Sequence, residues 1–375
     1  MKNTIYKYFF FEFIRNFTII LFAFTAVIWT IQAVNFLDLV TDDGHAFRVY
    51  LVYSFLIITK MLTKLIPFSF LIAMMLTISK LEKDNELIIL WTSGLNKIHL
   101  VNLIFRISLL VMLLQIFMSN IVTPETLNKS RKLLKHSELQ FVPSLLKQKI
   151  FNDTVEGLTV FVEKKNIDGT YHNLFIRDDS NVLTQVSSSS STIFAKSGIV
   201  NEESKKLILN NGNIQRLDED GSVSLIKFDR TELSLSGLST KSITEPKIQE
   251  TSTFDILLCL RDKNLEMHNC QTEDKEKKDI KIEINKRFGM PIFIPLIGLI
   301  CCFILSSRKE KKLSKKNNLT FYSFVSFIIL VVSEITVRYS GISFNHTLIY
   351  YFLPIVLLPL IYILLIRAFK YENLN

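Results

Sequence analysis

Lys60 and Lys64 stand four residues apart, so any helix carrying them places both ammonium groups on one face. The sequence around them is apolar, and an unpaired charge inside a bilayer costs about 2.5–3.5 kcal/mol on insertion scales. Two readings account for them. Their long stems allow them to snorkel to the headgroups near the end of a span. Facing a cavity instead, each serves as a point charge for the phosphates of a lipid headgroup. Glu334 and Arg338 repeat the spacing in a later apolar stretch, where an intrahelical ion pair that lowers the cost of burial is expected.

The segment Leu81-Glu-Lys-Asp-Asn-Glu-Leu-Ile-Ile-Leu-Trp-Thr-Ser-Gly94 carries the sharpest local signal. Glu82, Asp84 and Glu86 lead into the apolar Leu87, Ile88, Leu90 and Trp91, and Gly94 stands where a helix ends. The three acids fit the positive end of a helix dipole better than a cation site. Such a helix either lies on the membrane surface or docks in a groove on a partner.

Bond chemistry has no comparable signal. The chain lacks a Gly-x-x-x-x-Gly-Lys-Ser/Thr loop, a Gly-x-Ser-x-Gly elbow and a His-Glu-x-x-His pair. His45, His99, His136, His172, His268 and His346 are scattered without ligand-like spacing, so no metal, bound cofactor or catalytic residue is expected. Cys301 and Cys302 lie inside an apolar stretch. Cys259 and Cys270 lie in polar sequence, where a bridge is chemically allowed in an oxidising compartment.

Six apolar stretches must position these residues: 16–37, 65–79, 107–124, 288–307, 317–333 and 339–366. With 49% hydrophobic residues, this predicts an α-helical membrane protein with spans in a 3 + 3 arrangement. The first stretch has no small-x-small cleavage site after it and reads as an uncleaved span. The net charge of +9 is a topology signal and not a nucleic-acid one. Segments 1–15, 80–97, 308–316 and 367–375 concentrate Lys and Arg, whereas the short loops 38–48 and 340–346 hold only Arg48. That asymmetry puts both termini in the cytoplasm and the long insert outside.

The domains expected are 1–122, with three spans; 123–287, the insert; and 288–375, with three more. Within the insert, 158–163, 174–177, 191–196, 206–209 and 223–228 are short runs rich in β-formers. Asp168-Gly169, Asn211-Gly212 and Asp220-Gly221 between them read as hairpin turns, which predicts an antiparallel β domain. Residues 187–191 read as a solvated serine loop. Residues 125–150 read as helical, and 251–287 as a short helix followed by a charged linker.

Taken together, these features resemble the LptF/LptG permeases. The matching features are Leu81–Gly94 with Glu86 and Gly94 in place, a Tyr-x-x-x-Glu-like start at Tyr8 and Glu12, the 3 + 3 layout around a β insert, and Glu283-Ile-Asn-Lys-Arg287 followed by Pro291. The resemblance implies a half-transporter that pairs with a second LptF/LptG-like permease and an LptB-like ATPase dimer. It implies extraction of lipopolysaccharide from the inner membrane into a periplasmic β-jellyroll, and transfer to an LptC-like protein. ATP would be hydrolysed on the partner. Leu81–Gly94 takes the place of the ATPase-coupling helix, and Lys60 that of a basic residue near lipid phosphates. The Glu283–Arg287 region leans to the F type and Lys60 to the G type. The first span departs from the pattern, with Asn35, Phe36 and Asp38 where relatives carry basic residues.

Two rivals fit the layout less well. A membrane enzyme acting on envelope lipids lacks a nucleophile–base or metal set in the insert. A mechanical ABC permease commonly has four spans, with its external domain after the first.

Overall fold

The computed structural model describes residues 2–41, 46–137, 146, 148–155, 157–166, 168–179, 190–201, 206–217, 222–235, 247–261, 270, 274–306 and 312–372. Helices α1 (Lys2–Asn35), α2 (Asp38–Thr41), α3 (Phe47–Lys83), α4 (Glu86–Thr92) and α5 (Lys97–Phe117) come first. A π-helical turn, Met118–Val122, joins α5 to α6 (Thr123–Ser137). Strands β1 (Phe151–Val155), β2 (Leu158–Lys165), β3 (Thr170–Asp178), β4 (Ser190–Asn201), β5 (Lys206–Leu217) and β6 (Val223–Ser234) follow. The chain continues with a 3-10 turn (Ile248–Glu250), α7 (Thr253–Arg261), α8 (Asp274–Cys301), a second 3-10 turn (Cys302–Ser306), α9 (Lys312–Ser340) and α10 (Phe344–Glu372).

Among the described residues, six helical segments are long and apolar enough to cross a membrane: Thr4–Val40, Phe47–Lys83, Lys97–Leu134, Lys278–Leu305, Leu319–Ser340 and Phe344–Lys370. In lipid the backbone must satisfy its own polar groups, which helices do along their length. Several are longer than their uncharged runs suggest. The charged stretch before the fourth span is itself helix from Asp274, not an extended linker. The second and fourth spans are the central ones, with 67% and 78% of their apolar windows buried, against 17% for each of the last two.

Two compact units are formed: Met1–Thr30, Ile57–Asn128 and Lys247–Asn375 make one, and Ile31–Leu56 with Lys129–Pro246 the other. In the first, α1 buries Phe9, Phe13, Phe17 and Leu21, one residue every four, while Phe11, Ile19 and Phe22 stay exposed. That spacing makes one helical stripe. It packs on Ile66, Phe70, Met74 and Ile78 of α3, with Phe13 edge-on to Phe70 at 5.6 Å between ring centroids. Ile104 and Ile107 of α5 and Ile294 and Ile297 of α8 complete the core.

In the second unit the six strands form one antiparallel sheet in the order β1 to β6. Each described strand pairs with its sequence neighbour, so the sheet is a meander, and the non-sequential pairing of a jellyroll is not seen among these strands. Val160, Ile176, Ile193 and Ile214 face each other in successive strands and share the core. On the opposite face Phe161, Phe175 and Phe194 form an aromatic ladder continued by Phe151 of β1.

Asn211-Gly212 is not a hairpin turn: it lies inside β5. Asn173 and Asn211 both adopt left-handed backbone, φ 49° and 53°, in one transverse row of the sheet. Asn tolerates that conformation better than most residues. The alternation shifts phase there, the buried positions running Leu174 then Tyr171 in β3 and Ile214 then Leu209 in β5. The strands thus bend and keep one core on one side. Asp168-Gly169 is a turn as expected, with Gly169 at φ 80°, while Asp220-Gly221 lies outside the described residues. Ser190 and Ser191 belong to β4, and 187–189 lie outside the described residues. Strand β1 has too little alternation to be read from sequence.

A Cβ at Gly212 would collide with the Phe194 carbonyl oxygen and the Phe228 ring. Gly212→Ala is therefore expected to destabilise the sheet by about 1–3 kcal/mol, whereas Asn211→Gly keeps the bend at little cost. The check is the temperature at which protease begins to cut within β3–β6; equal protection of both variants would refute the bend.

Candidate functional site

At one end of the helical unit, Glu12 of α1 is buried, 7% exposed, and accepts from Lys80 Nζ of α3 at 2.7 Å and Arg15 at 2.8 Å. One turn on, Asn16 donates to Thr77 Oγ1 at 3.0 Å. One turn back, Tyr8 donates its hydroxyl to Glu86 Oε1 at 3.1 Å. The four-residue spacing of Tyr8, Glu12 and Asn16 puts all three on the α1 face that meets α3 and α4.

Residues 81–94 do not form one helix. Helix α3 ends at Lys83, Asn85 turns the chain with φ 58°, and α4 runs from Glu86 to Thr92. Glu82 therefore sits at the carboxyl end of α3 and Asp84 in the turn, so the dipole explanation holds for Glu86 alone. Gly94, at φ 83°, closes α4 as expected: its N–H donates to the Trp91 carbonyl and that of Leu95 to the Leu90 carbonyl. These are the paired bonds of a Schellman stop. Asn96 then caps α5 by accepting from the Ile98 N–H at 3.1 Å. The helix is thus held at fixed pitch between two longer ones.

Its faces also differ from the sequence reading. Leu87 turns inward, 6% exposed, while Ile88 and Ile89 project at 52% and 64%. Leu90 and Trp91 are half-buried, with Lys97 Nζ 5.6 Å from both the Trp91 and the Phe369 ring centroids. Ile89, Leu90 and Glu86 line an apolar groove of about 370 Å³ with Ile5, Tyr8 and Phe9.

A second cluster surrounds the two lysines. Helix α3 does not end near Lys60 but runs back to Phe47. Lys60 and Lys64 line a small cavity of about 60 Å³ with Lys286 of α8, Gln115 of α5, Ser119 and Thr123. Thr63 Oγ1 meets Thr123 Oγ1 at 2.9 Å, and Thr59 meets Thr126 at 2.7 Å, tying α3 to the first turn of α6. The expected Glu334–Arg338 pair is not formed: Glu334 Oε1 lies 3.8 Å from Lys286 Nζ instead. The cross-helix partner wins because α8 and α9 pack side by side there.

The third feature had no role assigned from sequence. Arg287 is 1% exposed. Its Nε donates to Glu283 at 3.0 Å and its Nη1 to Thr253 Oγ1 at 2.8 Å. Its Nη2 reaches the carbonyls of Ile248, Gln249 and Thr251. Thr253 in turn donates to the Asn120 carbonyl at 2.9 Å within the π-helical turn. One guanidinium thus fastens the segment 248–253 to α8 and, through Thr253, to the end of α5. The sequence signal was the Glu283-Ile-Asn-Lys-Arg287 motif at the edge of an apolar stretch, which gave the arginine no structural partner beyond Glu283.

These are positioned charges in a membrane-sized bundle, and the sequence compares accordingly. A sequence profile for the lipopolysaccharide export system permeases LptF/LptG matches residues 7–368. The chain belongs to the LptF/LptG family. The match covers all six apolar helices and the sheet, so the LptF/LptG chain is a multi-pass permease-family protein throughout. Uncharacterized protein RP871 of Rickettsia prowazekii (strain Madrid E) is 28% identical over 245 residues, 65% of this chain. The match spans 66% of that relative's length, just under two thirds.

In this LptF/LptG chain Cys259 and Cys270 are bridged, which sequence had left open, and Cys301 and Cys302 are buried free thiols. A maleimide reagent on the folded, unreduced protein is expected to label none of the four. Mild reduction should expose Cys259 and Cys270, and only denaturation Cys301 and Cys302. Arg287→Met is expected to lower the melting temperature in detergent markedly, since it leaves several buried acceptors unsatisfied at about 1–3 kcal/mol each. An unchanged melting temperature would show that the clamp is dispensable.

Proposed function

We propose that this chain is the permease subunit of an ATP-driven exporter that takes lipopolysaccharide from the inner membrane and passes it through its periplasmic β domain toward the outer membrane. The observation that carries this reading is the family match over residues 7–368, which leaves no span and no strand outside it. Both termini and α4 are cytoplasmic in this reading, supported by the basic segments 1–15, 80–97, 308–316 and 367–375. The insert is then periplasmic, in keeping with the Cys259–Cys270 bridge.

In this mechanism the chain performs no bond chemistry and binds no cofactor of its own; ATP is hydrolysed on an LptB-like dimer. Ile88, Ile89 and Glu86 of α4 meet that dimer. Its closure pushes α4, and the push reaches α1 through Tyr8–Glu86 and α3 through Glu12–Lys80. Spans one to three then rock against a second LptF/LptG-like permease and squeeze the acyl chains upward. Lys60 and Lys64 hold headgroup phosphates on the way, and the β domain delivers the lipid to an LptC-like protein.

An affinity pull-down in mild detergent is expected to bring down a P-loop ATPase and a second 3 + 3 membrane protein. Glu86→Ala is expected to cut lipid-stimulated ATPase activity at least fivefold in the reconstituted complex while leaving the chain folded. Normal association and export in that variant would remove the central element of the mechanism. Turnover of a lipid by the purified chain alone would favour an enzyme instead.

A further inference from the structure

We infer that a groove formed by the third and fourth spans and α7 holds one bilayer phospholipid with an ammonium headgroup. Its acyl chain lies along α5, and its headgroup lies beside Glu125 and Glu250. This site is separate from the lysine cavity and does not take the lipopolysaccharide of the proposed transport.

Length and polarity identify the occupant. Leu113, Ile116 and Phe117 of α5 line the groove at one end, and Glu125 and Asn128 of α6 line it at the other. Spacings of three and four residues keep such side chains on one helical stripe. From 113 to 128 the chain advances 15 residues, which at 1.5 Å each is about 22 Å. Half of a hydrocarbon core is about 15 Å, and the headgroup layer adds about 5–7 Å. The groove therefore spans one leaflet, apolar at depth and polar at headgroup level. Its volume of about 690 Å³ falls in the range of roughly 300–1,000 Å³ that takes one small ligand.

The groove is continuous with the membrane-facing surface. Leu113, Phe117 and Ile121 line it and are exposed on the third span. Phe254 of α7 stands over the same groove at 70% exposure. Leu257 and Leu260 are exposed on the same face of α7. The depth of α7 is fixed, because Thr253 donates to the Asn120 carbonyl at 2.9 Å. A short helix turning apolar side chains outward at that level lies in the interface, with those side chains among the acyl chains.

Charge selects the headgroup. Among the described residues lining the groove, the charged ones are Glu125 and Glu250. Glu250 also accepts from the Lys247 N–H, which leaves its charge in place. Carboxylates attract an ammonium and repel a phosphate. Phosphatidylethanolamine turns its ammonium to them and keeps its phosphate in the headgroup layer. Phosphatidylglycerol has no cation to offer, and a multiply phosphorylated sugar lipid is repelled.

Native mass spectrometry of the full-length chain, released from detergent with added phosphatidylethanolamine or phosphatidylglycerol, tests this. Activation that strips loosely held lipid should leave one phosphatidylethanolamine per chain and about fivefold less phosphatidylglycerol. Diphosphorylated lipid A should not displace it. Ile121→Trp, which fills the groove, and Phe254→Ser should each lower retention about fivefold. Phe352→Ser, on the exposed face of α10, should leave retention unchanged. Glu125→Lys should erase the headgroup preference. Phosphatidylethanolamine with a photoreactive acyl chain, added to the unsubstituted chain, should label peptides covering 113–121 and 254–257. A photoreactive phenylalanine analogue at Ile121 should capture phospholipid in cells. Capture of a membrane protein there instead would overturn the proposal. So would labelling confined to other helices, equal retention of the two phospholipids, displacement by lipid A, or equal losses in Phe352→Ser. None of these measurements uses the ATPase or export, so their failure leaves the transport reading standing.

Discussion

A charge in an apolar medium is so unfavourable that it needs a partner, a route to water or a ligand. That constraint organises the helical unit. Glu12 is buried because Lys80 and Arg15 meet it. Arg287 is buried because a carboxylate, a hydroxyl and three carbonyls accept its hydrogens. Lys60, Lys64 and Lys286 are gathered around a cavity. Each solution joins elements distant in sequence, so the charges that cost most to bury also fix how the helices assemble.

The same constraint makes departures from regular helix informative. Backbone in lipid has no water to fall back on, so a break must be satisfied locally. Beyond the end of the second span, the break at Asp84–Asn85 and the stop at Gly94 set α4 apart as a separate short helix with its own apolar face. The π-helical turn at Met118–Val122 is placed where Asn120 accepts from Thr253. π-Turns of this kind recur at functional sites. Here the turn lies where α5 meets the segment held by Arg287.

The sheet meets a different requirement. A flat six-stranded meander has two faces and can bury only one against itself by curving. Two asparagines in the left-handed region, in one row, supply the curvature. The inner face keeps Val160, Ile176, Ile193 and Ile214 with Tyr171, Leu207 and Leu209 in one core. The outer face is left with a ladder of phenylalanines. Asn211-Gly212 has the composition of a turn and is used as a bend, because both need backbone at positive φ.

Hydropathy, charge and spacing along the chain are enough to read the six spans, their 3 + 3 division, the antiparallel insert and four groups of candidate residues: Tyr8 and Glu12, Glu86 through Gly94, Lys60 with Lys64, and Glu283 through Arg287. Those are legible because hydropathy, charge and helical spacing act along the chain. The partners were not legible. That Tyr8 holds Glu86, that Glu334 turns to Lys286 and not to Arg338, that Glu82 belongs to a different helix from Glu86, and that Gln115 is buried beside three lysines are decided by which helices pack together. Each pairing spans tens to hundreds of residues, and local periodicity carries no information about what lies across an interface.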